Sequence, residues 1–144
     1  MAWYFDGEIF DPTEEFLNDY VGFVYCITEE ESGKKYIGKK FFWSVRRLPP
    51  LKGKKRKRIV KKESDWKNYF GSNEQLKLLV EERGELFYHR EILKLCKTKG
   101  ECSYYETKAQ FDRSVLLRDD YFNEFIGCKI HSKHLTIDSE GENG

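Results

Sequence analysis

Two apolar segments separated by a polar turn, at residues 21–28 and 34–38, place the strongest constraint on the fold of this chain. In the first segment, apolar side chains occupy both sets of alternating positions, whereas a strand with one face in water alternates apolar and polar residues. The residues from Glu29 to Gly33 suit a reversal of the chain. The pattern therefore predicts a β-hairpin whose first strand is central in a sheet and covered on both faces.

The remaining segments predict one more strand and several helices. Helical patterns cover residues 11–20, 41–47, 73–83 and 99–118, and a strand pattern covers residues 86–96. Helical periodicity competes with the strand pattern over residues 92–96. Asp11 is the expected N-cap of the first helix, and Pro49 and Pro50 must end the second, because proline lacks the N–H that a helix interior needs. Three strands with their helices predict one small α+β domain.

Charge is strongly segregated along the chain, although its sum is only +1. Residues 1–33 contain nine acidic residues and no Lys or Arg, whereas residues 34–62 contain fourteen Lys or Arg and no acidic residue. A dense basic run repels itself, so it is either solvated or neutralised by a polyanion such as a phosphate backbone. A disordered loop or a transport signal is the alternative interpretation. The residues predicted to bind nucleic acid are Lys52, Lys54, Lys55, Arg56, Lys57, Arg58, Lys61 and Lys62.

These patterns divide the chain into an acidic N-terminal arm at residues 1–20, a folded domain at residues 21–130 and a flexible tail at residues 131–144. The basic run is predicted to be a loop of the domain, at residues 48–64. We expect an intracellular protein without membrane association, since no apolar run is long enough to span a bilayer and the N-terminus lacks a signal-peptide pattern.

The four cysteines are widely spaced and form no Cys-x-x-Cys pair, so free, buried thiols are expected. Cys128, His131 and His134 offer three potential metal ligands. Their spacing matches no zinc pattern and no fourth ligand is close, so a zinc site is disfavoured.

Short motifs in a fixed order resemble those of the GIY-YIG nuclease family. Phe-Val-Tyr at residues 23–25 and Tyr-Ile-Gly at residues 36–38 look like the two triplets that name the family, with Phe23 where the family has glycine. Tyr-Phe-Gly-Ser at residues 69–72 is similar to a segment of phage homing endonucleases in the family, and residues 90–93 resemble their third strand. The resemblance extends over roughly residues 21–128.

The resemblance implies a three-stranded antiparallel sheet flanked by helices. It also implies a magnesium-dependent DNA endonuclease of phage or homing type, with Mn²⁺ as an alternative cation, in the cytoplasm of a bacterial or phage-infected cell. Hydrolysis of a phosphodiester needs an activated water, neutralisation of the phosphate charge and help for the leaving oxygen. The alternative from another functional class is a non-catalytic DNA-binding module on a nuclease scaffold.

The same resemblance gives each candidate residue a role. Glu106 matches the metal-binding glutamate, and Arg46 matches an arginine of the first helix that would bind the scissile phosphate. Tyr25 is favoured as the general base, and Tyr36 as the group that orients water or phosphate. Packing across the hairpin is the alternative for both tyrosines, and a solvated helix position is the alternative for Glu106. The supporting residues are Lys39, Lys40, Arg47, His89 and Asn123.

The sequence leaves the mode of cleavage open. One small active site cuts both strands of a duplex either as part of a homodimer or by sequential nicking. We expect no room for a separate DNA-binding domain in 144 residues, so specificity would come from the basic loop, from a partner or from a dimer, or would be low.

Overall fold

The computed structural model describes residues 1–129 and residue 132 of the chain. Within these described residues, seven strands and three α-helices follow one another. They are β1 (Trp3–Phe5), β2 (Glu8–Phe10), α1 (Glu14–Leu17), β3 (Gly22–Glu29), β4 (Lys35–Phe41), β5 (Trp43–Leu48), β6 (Arg58–Glu63), α2 (Glu74–Arg83), β7 (Tyr88–Cys96) and α3 (Lys99–Asp112). Among the described residues, no helix is both long and apolar enough to cross a membrane.

The main sheet has five strands in the order β2-β1-β7-β3-β4. Strand β3 is antiparallel to both β4 and β7, as the sequence predicts for its three central strands. The prediction of a three-stranded sheet is wrong, because β1 runs parallel to β7 and β2 extends the sheet beyond it. Trp3 fixes β1 against the domain, because its side chain is buried and its indole N–H donates to the carbonyl of Trp66 at 2.8 Å.

Strands β5 and β6 form a separate two-stranded sheet. The helix predicted at residues 41–47 is therefore wrong, and Arg46 and Arg47 lie on a strand. The predicted basic loop is also shorter than expected, because Arg58–Glu63 is paired and residues 49–57 make the connection. The β-branched pair Ile59 and Val60 favours a strand, and the surrounding charge hides this preference in the sequence.

Apolar side chains pack on both faces of the sheet, which confirms that β3 is a covered central strand. On one face Phe23, Tyr25 and Ile27 join a cluster with the buried tryptophans Trp3 and Trp66. On the other face Val24, Cys26 and Ile37 meet the α3 residue Cys102 and its neighbour Val115. The second cluster fixes α3 across β3 and β4, and this packing brings Glu106 of α3 close to Lys39 of β4.

Helix ends differ from the sequence expectation in α1 and α3, and α1 ends at Leu17 rather than near residue 20. The N-cap of α1 is Thr13 rather than Asp11, and its hydroxyl accepts from the N–H of Phe16. Helix α3 ends at Asp112 and not near residue 118, since Ser114 adopts a φ of 51° that breaks the helix. Helix α2 matches the prediction, with Asn73 as its N-cap and Gly84 at its end.

The prediction of free, buried thiols is confirmed for Cys26, Cys96 and Cys102; Cys128 is also free, but it is exposed. His131 and His134 lie outside the described residues. Within the described part of the chain, no group of three His, Cys, Asp or Glu side chains is arranged to hold a metal ion. The segment over residues 92–96 is strand, because β7 pairs with β3 along that stretch.

Candidate active site

A polar cavity of about 610 Å³ opens between β4, α3 and the segment that follows α3. Several sequence-predicted residues meet there, together with others that the sequence did not single out. The lining residues are Tyr36, Lys39, Tyr69, Ser72, Asn73, Glu74, Glu106, Gln110, Asn123, Glu124, Phe125 and Gly127.

The β3–β4 hairpin brings the two motif tyrosines to the same face of the sheet. Tyr25 is paired with Gly38 and Ile27 with Tyr36, so the two rings are neighbours with centroids 6.2 Å apart. Because Gly38 has no side chain, the Tyr25 phenol can occupy the space beside the Gly38 Cα atom. A Cβ atom at residue 38 would stand 2.4 Å from the Tyr25 Oη atom, which is far inside van der Waals contact.

Tyr25 is completely buried, and its hydroxyl has no hydrogen-bond partner of ordinary geometry among the described residues. Burial, and then the neighbouring Tyr69 and Tyr36 side chains, raises the pKa of the Tyr25 phenol well above its usual value. Tyr25 does not line the cavity and lies behind Tyr36 in the core. A phenol in this position is neutral at physiological pH.

Tyr36 is the motif tyrosine that reaches the cavity. Its hydroxyl shares a hydrogen bond of 2.9 Å with the Ser72 hydroxyl. Burial also raises the pKa of Tyr36, and the bond to Ser72 partly opposes that rise. The neutral Tyr36 hydroxyl can both donate and accept a hydrogen bond, so it can orient a water molecule or a phosphate oxygen.

Glu106 extends from α3 to the cavity wall and faces Lys39 of β4. The Lys39 Nζ atom lies 3.3 Å from Glu106 Oε1, and the Glu106 side chain is 14% exposed. Burial raises the pKa of Glu106, whereas the charge and hydrogen bond of Lys39 lower it. This pair places one partly buried carboxylate and one ammonium on the same open cavity.

The donor set around Glu106 fits a hard cation held mostly by water and substrate. Mg²⁺ commonly takes one or two carboxylates and keeps several waters beside a phosphate ligand. The polar side chains of Tyr36, Ser72 and Asn123 leave room for such waters. The set does not fit a cation that needs three or four protein ligands, because the described residues contain no such group.

Asn123 and Gln110 hold β4 from its outer edge. The Asn123 amide accepts from the N–H of Ile37 at 3.0 Å and donates to the carbonyl of the same residue at 2.8 Å. Gln110 also donates to that carbonyl, at 3.1 Å. Both amides therefore fix the residue between Tyr36 and Gly38.

The structure does not bring every predicted residue to the cavity. Arg46 and Arg47 are exposed on β5 and outside the cavity lining. His89 stacks on Tyr4 with ring centroids 4.8 Å apart, and it too lies outside the lining. Lys40 binds Asp65 at 2.7 Å, and its ammonium lies 4.2 Å from the centre of the Tyr69 ring.

Eight of the twelve lining residues were not predicted as site residues, and three of these are Tyr69, Ser72 and Gln110. Tyr69 and Ser72 belong to a segment that resembles the family, yet the sequence gives that segment no role. Gly71, with a φ of 93°, makes the turn that presents Ser72 to Tyr36. Gln110 falls at helical spacing from Glu106, which is a weak signal for a shared helix face.

The basic residues from Lys52 to Lys62 form another surface, away from the lining of this cavity. All of them are exposed, and they lie on β6 and the connection before it.

Of three comparisons with known proteins, one finds a match. The model of the family described as "Putative endonuclease segE, GIY-YIG domain" matches residues 3–126. No curated protein matches the chain, and no solved structure matches it. The family match includes β1 and β2 as well as every residue that lines the cavity up to residue 126.

Proposed function

This chain belongs to the GIY-YIG endonuclease domain family of segE, and on that premise we propose that it hydrolyses phosphodiester bonds in DNA with a divalent cation, Mg²⁺ or Mn²⁺. The observation that carries the proposal is the meeting of Glu106, Lys39 and Tyr36 on one polar cavity. A carboxylate, an ammonium and a phenol can respectively hold a cation, bind a phosphate and orient a water molecule.

Glu106 is the residue that would hold the cation. When bound, Mg²⁺ neutralises charge on the phosphate and lowers the pKa of a coordinated water. Lys39 lowers the pKa of Glu106 against the effect of burial and so favours the ionised carboxylate. Lys39 also has the charge and the position to contact the phosphate of a substrate in the cavity.

Tyr36 would orient the attacking water, because its hydroxyl lines the cavity and both donates and accepts. Tyr25, which the sequence favours as general base, has a strongly raised pKa and no place in the lining. We therefore assign Tyr25 a positioning role behind Tyr36. Arg46 has an exposed position on β5 and would contact DNA away from the cavity.

Phe23, which stands where the family has glycine, does not disturb the candidate site. Phe23 is fully buried against Trp3 and Phe42, at ring-centroid distances of 4.9 Å and 5.0 Å. The close approach that needs glycine occurs one residue earlier, since a Cβ at Gly22 would stand 2.5 Å from the carbonyl oxygen of Lys40. Phe23 therefore fills the core without entering the cavity.

A phage or homing type of endonuclease is the finer part of the proposal. It is supported by the similarity of residues 69–72 to phage members of the family. A homodimer and sequential nicking by a monomer are the two routes by which one such cavity can cut both strands.

A plasmid-nicking assay tests the proposed function. Supercoiled plasmid is incubated with Mg²⁺ and either the wild type or the variant Glu106→Gln, and the nicked and linear forms are measured. We expect the variant to lose roughly 100-fold or more in rate, as when one charge-stabilising group is removed from an active site. Glu81→Gln is the matched control, because Glu81 is exposed on α2.

Equal cleavage by wild type and Glu106→Gln would remove Glu106 from the mechanism. No cleavage by the wild type, tested on duplex, nicked and branched DNA with Mg²⁺ and with Mn²⁺, would favour the alternative function of a non-catalytic DNA-binding module.

A further inference from the structure

The β5–β6 hairpin, residues 43–63, is a ribbon that stands apart from the main sheet, and we call it the basic ribbon. Its register runs from Trp43 opposite Glu63 to Leu48 opposite Arg58. Six residues per strand give a paired length of about 20 Å at the usual rise of a strand. It forms its own two-stranded sheet and pairs with no strand of the main sheet.

Charge on the basic ribbon is almost entirely of one sign. It contains ten Lys or Arg residues and one acidic residue, Glu63. Glu63 is the last residue of β6, and its carboxylate accepts a hydrogen bond from the Trp66 indole N–H at 2.9 Å. No Lys or Arg of the ribbon forms an ion pair with an acidic residue of the described chain. Binding of such a surface to a nucleic acid would neutralise phosphates and release the counterions condensed on the nucleic acid.

Both faces of the basic ribbon combine basic and apolar side chains. In an antiparallel pair, opposed residues share a face, so Arg47 lies beside Ile59 and Arg46 beside Val60 on opposite faces. Ile59 on one face is 67% exposed, and Val60 on the other face is 40% exposed. A flat acidic protein or an anionic bilayer would neutralise one face only. A groove of a nucleic acid presents phosphates on both sides and apolar sugar and base edges between them.

The width of the ribbon indicates which groove of a nucleic acid it can enter. Strands are about 4.8 Å apart, and side chains on both faces widen the ribbon. The major groove of B-form DNA is about 12 Å wide and admits a two-stranded β-ribbon, whereas the minor groove is about 6 Å wide. The major groove of A-form RNA is too narrow and deep for side chains to enter.

The base of the basic ribbon is fixed to the strand that carries the site. Only Phe42, which is fully buried, separates β4 from β5. The Ser64 N–H donates to the carbonyl of Phe42 at 2.8 Å, and the Trp43 indole N–H donates to the carbonyl of Tyr20 at 3.0 Å. These bonds set the direction of the ribbon relative to Lys39 and Tyr36.

We propose that the basic ribbon binds in the major groove of double-stranded DNA and holds the duplex at a fixed offset from the cavity. The inference rests on the proposed function in one respect, because a fixed offset between duplex and cavity matters only if the cavity cleaves DNA. The binding itself is measured without catalysis, so the two can fail separately.

The binding test uses the Glu106→Gln protein in EDTA and a fluorescent duplex, titrated at several salt concentrations. Neutralising three exposed bases in the variant K55Q/R56Q/K57Q should weaken duplex binding by roughly 10-fold or more and reduce the salt slope by about 2 to 3. The control K77Q/K108Q/R118Q removes the same charge from exposed positions elsewhere and should change both much less. An equal effect of the two triple variants would overturn the inference.

The groove test uses the same protein on DNA and on an RNA duplex of matching sequence. We expect protection of guanine N7 from dimethyl sulfate, no competition by a minor-groove ligand, and RNA binding at least several-fold weaker. Protection of adenine N3 instead, or equal affinity for the RNA duplex, for single-stranded DNA or for anionic lipid vesicles, would overturn the inference. Groove binding without plasmid cleavage by the wild type would overturn the proposed function alone.

Discussion

Gly38 and Tyr25 show how one residue type can be required by the position of another. The two are paired across the β3–β4 hairpin, and the phenol lies where a side chain of residue 38 would otherwise be. The Tyr36 ring is the next closest group, since its Cε2 atom would stand 2.9 Å from the same Cβ. Glycine at residue 38 therefore sets the positions of both motif tyrosines.

Replacing Gly38 with alanine is expected to displace both rings, because the added methyl group has no space between them. We expect the free energy of unfolding to fall by about 1–3 kcal/mol, as for an overpacked core, and cleavage to fall with it. Urea titration followed by tryptophan fluorescence measures the change. Gly127→Ala is the control, since its nearest neighbours would be 3.8 Å away. An unchanged unfolding free energy for Gly38→Ala would contradict the packing.

Glu106 and Lys39 make a second prediction at this scale. Burial raises the pKa of Glu106 above 4.5 and Lys39 opposes the rise, so Lys39→Gln should raise that pKa further. A carboxyl group with a higher pKa in the folded state makes the protein less stable as pH increases through that range. The loss of stability above pH 4.5 should therefore be larger in Lys39→Gln than in the wild type.

Carbon-detected NMR of the Glu106 carboxyl group during a pH titration measures this change directly. Lys40→Gln is the matched control, because the Lys40 ammonium binds Asp65 and not Glu106. If Lys39→Gln leaves the Glu106 titration where it is in the wild type, the ion pair does not exist in solution.

At the scale of elements, the segment after α3 completes the edge of the sheet. Strand β4 is the last strand of the main sheet, so its outer N–H and C=O groups need partners. The carbonyl of Asp120 accepts from the N–H of Lys35 at 2.9 Å, and the carbonyl of Lys35 accepts from the N–H of Phe122 at 2.7 Å. Asn123 continues this pairing with its side chain. The segment thus closes the edge and forms one wall of the cavity.

Local patterns account for which elements were predictable. The β3–β4 hairpin and α2 follow from alternation, turn residues and caps that lie within a few positions of one another. Strands β1 and β2 have three residues each, and their pairing with β7 depends on residues far along the chain. Strand β5 was mistaken for a helix because its partner, β6, lies inside a basic run that resembles a loop.

The site follows the same division. Tyr36, Lys39, Glu106 and Asn123 were predicted and lie on the cavity, since motif order carries information about the fold. Arg46 was assigned to the site on the basis of a predicted helix, whereas the structure has strand β5 at that position. Ser72 and Gln110 contribute only through contacts across the fold, which sequence spacing does not reveal.

At the scale of the whole molecule, Arg90 connects the N-terminal strands to the cavity wall. Its buried guanidinium lies between the rings of Trp3 and Phe70, at 4.6 Å and 4.3 Å from their centres. It donates to the carbonyls of Tyr69, Lys67 and Met1. Burial lowers the pKa of Arg90 to about 10. The charge is thus held by carbonyls and rings, and residues of the N-terminal segment supply part of that set.

Deleting residues 1–10 should therefore destabilise the whole domain and not merely shorten it. The deletion removes the buried Trp3 side chain and the Met1 carbonyl that accepts from Arg90. Loss of one large buried aromatic residue costs about 3–5 kcal/mol, so we expect a much lower midpoint in urea unfolding and weaker protection of β7 amides from hydrogen exchange. Ile9→Thr is the control, since Ile9 is 64% exposed and its replacement should change stability by less than about 0.5 kcal/mol. A truncated protein that unfolds at the midpoint of the full chain would instead mean that residues 1–10 are an arm outside the domain, as their sequence alone predicts.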